Sequence, residues 1–77
     1  MPTVLRIGRY RFHFFSNQRN EPAHIHIKDG ERGAKFWLEP VELAANHGFR
    51  SYELTEIRRL VIENRVLFIE RWYEYFS

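Results

Sequence analysis

The sequence predicts an α+β fold. An antiparallel sheet of three to five strands carries a long C-terminal helix on one face, with a bend allowed at Asn64. Two observations lead there. Up to about residue 46, aromatic and β-branched runs alternate with polar residues at period two, separated by turn-forming pairs. From about residue 51 the apolar period becomes helical and holds to residue 76. The length of 77 residues, with no linker or repeat, predicts one domain over 1–77, the sheet in about 3–46 and the helical region in about 51–76.

Val4-Leu5-Arg6-Ile7 is the first strand and Gly8-Arg9 its turn. Tyr10 to Phe15 is the second, marked by aromatic enrichment. Ser16 to Pro22 is a polar turn. Ala23-His24-Ile25-His26-Ile27-Lys28 is the third strand, and Asp29 to Gly33 a hairpin loop opened by Asp-Gly. Ala34 to Glu39 returns and Pro40 ends it; Val41 to Ala45 forms a short edge strand, and Asn46-His47-Gly48-Phe49 turns into the helix. Ser51 is the expected N-cap, with Glu53 and Glu56 suited to the positive end of the helix dipole. Leu54, Ile57, Leu60, Val61, Leu67, Phe68, Trp72 and Tyr75 form the expected sheet-facing side.

Strand parity assigns two faces, because a one-residue slip would exchange them. Phe12, Phe14, Ile25, Ile27, Phe36 and Leu38 should be buried, and Arg11, His13, His24, His26, Lys35 and Trp37 should share the opposite face. A solvated sheet face ordinarily mixes Thr, Ser, Glu and Lys. This one collects three histidines, two cations and an indole.

That polar face has three readings. His and Trp can simply cover the sheet as amphipathic residues. A metal reading uses His24 and His26, about 6.6 Å apart at their bases after two rises of about 3.3 Å, with His13, Glu21 or Glu39 as third ligand; imidazole suits zinc. A phosphodiester reading makes His24 and His26 an acid–base pair and uses Lys35 or Arg11 to stabilise phosphoryl charge, with no cofactor. Arg11, His13 and Trp37 would then contact ligand, and His47 reads as a surface residue.

Ile62, Val66, Ile69 and Tyr73 form a second apolar stripe at helical spacing. A bend near Asn64 would merge it with the core. A continuous helix would leave it for a homo-oligomer or a partner protein. The flanking Arg58, Arg59, Arg65 and Arg71 are expected to pair with Glu56, Glu63, Glu70 and Glu74.

Composition narrows the classes. Hydrophobic residues at 44% and aromatics at 17% describe a folded chain, not a disordered one. With no cysteine, disulfides and thiolate metal sites are excluded. No apolar run reaches membrane-spanning length and no apolar leader follows Met1, so a cytoplasmic setting without membrane contact is expected. A net charge of +2 permits RNA binding without demanding it.

The runs Glu21-Pro22-Ala23-His24-Ile25-His26 and Ala34-Lys35-Phe36-Trp37-Leu38-Glu39-Pro40-Val41, with Glu63-Asn64 and Trp72-Tyr73-Glu74-Tyr75-Phe76, resemble the bacterial family grouped as domain of unknown function 4160. The resemblance covers nearly the whole chain. It implies a small cytoplasmic protein without an established activity, often encoded beside a second small family, domain of unknown function 2442, an arrangement that has prompted toxin–antitoxin proposals. It places His24, His26, Lys35 and Trp37 on the family's recurring motifs. The leading expectation is therefore one half of a toxin–antitoxin-like pair that acts through a cognate small protein or a second copy. A metal-independent ribonuclease and a zinc-binding module are the alternatives.

Overall fold

The structure, a computed structural model, describes residues 3–15 and 20–76. Five strands form one antiparallel meander in the order β1(Thr3–Ile7), β2(Tyr10–His13), β3(His24–Asp29), β4(Arg32–Leu38), β5(Val41–His47). Two helices follow, α1(Ser51–Glu63) and α2(Arg65–Phe76). The expected α+β architecture stands, and its boundaries shift in physically legible ways.

β2 ends at His13, two residues earlier than expected, and residues 16–19 of the expected polar turn lie outside the described residues. The hairpin after β3 is tighter than the expected Asp29–Gly33 loop. Asp29 pairs with Arg32, so only Gly30 and Glu31 turn, and Gly30 takes φ +62°, the left-handed region that glycine enters without a Cβ penalty. β5 runs on to His47 because the expected turn starts later. The Asn46 side chain then closes that turn by donating to the Phe49 carbonyl at 3.0 Å and accepting from the Phe49 N–H at 3.1 Å.

Arg50, not Ser51, is the N-cap. Its N–H donates to Glu53 Oε1 at 2.9 Å, so the first turn is held by the acidic residue three positions on. Asn64 breaks the helix as the sequence allowed, with φ −110° and ψ 16°. Its side-chain amide donates to the Leu60 carbonyl at 2.9 Å, beside its own backbone N–H, which donates to the same oxygen at 3.1 Å. Arg65 Nε then donates to the Leu38 carbonyl at 2.7 Å, tying the start of α2 to the end of β4 rather than to the expected glutamate.

The core lies between one sheet face and the helices. Phe12, Phe14, Ile25, Ile27, Phe36 and Leu38 are all buried there, with Ile57, Val61, Phe68 and Trp72 from the helices. After the break the phase of α2 differs from the expected wheel. Ile69 packs against the core, whereas Tyr75, expected on the core side, is exposed. At one end of this face Arg32 bridges Asp29 at 2.5 Å and Glu53 at 2.6 Å, and Arg9 reaches Asp29 at 2.6 Å. The Arg32 guanidinium also lies 5.0 Å from the centre of the Phe49 ring. Ion pairs thus serve Arg9 and Arg32 at this end of the sheet.

Candidate functional site on the outer sheet face

The strand register writes the outer face as three rows across the sheet. The first is Arg6, Arg11, Lys28, Gly33 and His47. The second is Thr3, His13, His26, Lys35 and Ala45. The third is His24, Trp37 and Glu42. The two motif histidines do emerge on the same face as Lys35 and Trp37, as parity requires.

Their surroundings differ from the expected open surface. His24 is fully buried. The Trp72 ring of α2 stands 4.7 Å from its imidazole centroid, and Trp37 stands 5.6 Å away. His24 Nδ1 is 2.8 Å from the Pro22 carbonyl, so Nδ1 carries the proton in that bond. His13 is buried as well, and its ring stacks on His26 with centroids 5.6 Å apart. Phe15 packs edge-on against both, 5.0 Å from His13 and 4.5 Å from His26. His26 is half-buried and joins this ring cluster to an open groove of about 500 Å³. Lys28, Gly33, Lys35 and His47 also line that groove.

His47 is the groove residue that the sequence reading placed in a turn. Its position follows once β5 is carried two residues further, because Gly33 pairs with His47. Lys35 is held between the Glu21 carboxylate, with which it forms an ion pair, and the Trp37 ring, 4.5 Å from its ammonium. Its charge is largely answered within the chain. Glu21 is accordingly held below the ordinary carboxylate range by that hydrogen bond.

Burial sets the protonation of the cluster. It pulls the His13 imidazole down to about 4, with the Arg11 charge adding to the effect. His26 falls to about 4 through burial first and then the neighbouring His24, His13 and Lys35. His24 is lowered by burial, against the hydrogen bond to Pro22. All three are neutral near pH 7. They can accept a proton, but none stands ready as an imidazolium acid.

A metal would have few partners here. The His24 and His26 ring centroids are 5.1 Å apart, yet among the described residues no group of three His, Cys, Asp or Glu side chains is placed to hold one. Two polar atoms are left unanswered instead. Arg11 Nε and His13 Nδ1 are buried, and neither has a hydrogen-bond partner among the described residues. Such groups are rare in native interiors and call for an explanation.

On the other side of the molecule, Ile62, Val66 and Tyr73 remain 47%, 66% and 57% exposed despite the helix break. Arg59–Glu63 at 2.9 Å and Arg71–Glu74 at 3.3 Å realise two of the expected surface pairs. Tyr73 reaches Glu39 at 3.3 Å. Among the described residues no helix is long and apolar enough to cross a membrane.

A family model described as "Domain of unknown function (DUF4160)" matches residues 10–73, and the chain belongs to that family. The match spans β2 to α2 and so contains the histidine cluster, the groove and the helix stripe. Comparison with curated proteins and with solved structures found no match.

Proposed function

We propose that this member of the family works by protein–protein contact, as one half of a toxin–antitoxin-like pair. The docking face is the stripe of Ile62, Val66 and Tyr73. Its exposure carries the reading: the bend at Asn64 folds both helices onto the sheet, and these three side chains still stay outside. Exposed large apolar groups, Ile62 on α1 with Val66 and Tyr73 on α2, flanked by the Arg59–Glu63 and Arg71–Glu74 pairs, fit a contact with an apolar centre and polar edge. Ile69, expected in the same stripe, belongs to the core side and drops out of the contact.

The test is the size of the purified chain in solution, alone and with the small protein encoded beside its gene. A stable complex that Ile62→Glu with Val66→Glu abolishes supports docking at this stripe. A chain that stays monomeric in both samples ends it. Growth with and without the neighbour separates the toxic role from the neutralising one.

An RNA-cleaving reading has one favourable observation, the neutral, half-buried His26 beside cations in an open groove. Such an imidazole can take the proton of a 2′-hydroxyl. Its leaving-group acid must come from a residue other than the sealed His24. Metal-independent cleavage lost in folded His26→Ala supports this reading, and cleavage retained in that variant removes it.

A further inference from the structure

The outer face holds a pattern that the docking stripe does not use. Arg6, Arg11 and Lys28 occupy directly opposed positions on three adjacent strands. Neighbouring strands lie about 4.8 Å apart, so three like charges sit side by side, an arrangement that disfavours the sheet. Among the described residues none of the three makes an ion pair. Other sheet cations are matched, Arg9 and Arg32 by Asp29 and Glu53, and Lys35 in the next row by Glu21. Arg11 Nε adds a buried donor without an acceptor.

Beside this row lies the groove, walled by the rings of Phe15, His13 and His26. Gly33 continues the cation row without a side chain and so leaves the groove floor open. A rail of cations next to a ring-lined slot matches the two parts of a single-stranded nucleic acid, a phosphate backbone and unstacked bases. We propose that Arg6, Arg11 and Lys28 hold successive phosphates of a single strand while a base enters the groove against Phe15 and the His13–His26 stack. A duplex does not fit, because its bases are stacked away from the slot.

The test is titration of labelled 20-nucleotide RNA and DNA of mixed sequence, single- and double-stranded, across a salt series. Three phosphate contacts on a single strand give a slope of log affinity on log salt of about −2, or roughly twenty-fold weaker binding at 200 mM than at 50 mM salt. Arg6→Gln, Arg11→Gln and Lys28→Gln each make the slope shallower by about 0.7. Gly33→Glu weakens binding by filling and charging the groove. It leaves the fold intact, because an added Cβ meets nothing nearer than the Ile27 carbonyl at 3.6 Å. Tighter RNA than DNA binding assigns a contact to the 2′-hydroxyl, equal binding assigns the hold to phosphates and bases, and both sustain the proposal. Absence of single-strand binding at 50 mM salt, a preference for duplex, or an unchanged slope in the variants overturns it. If Arg11→Gln fails to fold, the exposed Arg6 and Lys28 variants still decide. The docking stripe lies on the helices, so failure of either proposal leaves the other standing.

Discussion

The indole of Trp72 stands 4.7 Å from the imidazole of His24, centroid to centroid, so the last helix closes over the first residue of β3. The same indole meets Phe14 edge-on at 5.4 Å. One ring therefore joins the apolar core to a histidine from the other face of the sheet. Trp72→Ala should cost about 3–5 kcal/mol, the usual range for emptying a buried large ring. It should also open His24 to water and raise its depressed pKa. Urea denaturation and histidine NMR titration of the variant check both outcomes.

Acid should unfold the protein early. The folded-state pKa of about 4 for His13 and His26 lies below the ordinary 6.5. The unfolded chain then binds more protons, and stability is full above the unfolded value and falls as pH drops from about 6.5 toward 4. Each histidine contributes at most about 1.4 kcal/mol per pH unit in that window. Glu21, Asp29 and Glu53, all lowered, continue the loss at still lower pH. His26→Gln should flatten the limb between pH 6.5 and 4. An unaltered pH profile would show that His26 is not held neutral by its surroundings.

Gly48 sits at φ +97°, and a Cβ there would lie 2.9 Å from Arg32 Cγ. Gly48→Ala should therefore destabilise by about 1–3 kcal/mol, combining backbone strain with displacement of the Arg32 side chain. Thermal denaturation measures it, and a neutral result would mean that the turn relaxes freely.

Two arginine–glutamate pairs should behave differently. Arg59 and Glu63 are both more than half exposed, so Arg59→Ala should change stability by no more than about 0.5 kcal/mol. Arg32→Ala should lower the urea midpoint much further, since it removes the partner of the buried Glu53, one arm of Asp29, and the cation over Phe49. Equal effects would mean that the network contributes no more than a surface pair.

Much of this molecule was legible because strand alternation and helix period are local properties of the chain. The six residues assigned to the inner face are all buried, and Asn64 divides the helix where an amide interrupts the apolar pattern. What escaped depended on contacts between distant segments. Parity placed His24 on the outer face, but only the path of α2 brings Trp72 over it. The exchange of Ile69 and Tyr75 follows from the phase reset at Asn64, which an ideal wheel cannot contain. The cation row became visible only with the register, because Arg6, Arg11 and Lys28 are scattered in sequence and adjacent across strands.

β5 forms one margin of the meander, and from Glu42 to His47 it is exposed throughout. It bears no lysine, arginine or proline, so its guards against pairing are Glu42 and one break in register at Ala44, whereas β1 at the far margin has Arg6 as well as an irregular register. Its outward amides and carbonyls offer a ready ladder to any extended chain that arrives. Crowded preparations of this protein should thus self-associate border to border, and lysine substitution at Leu43 or Ala45 is the simplest way to keep it dispersed.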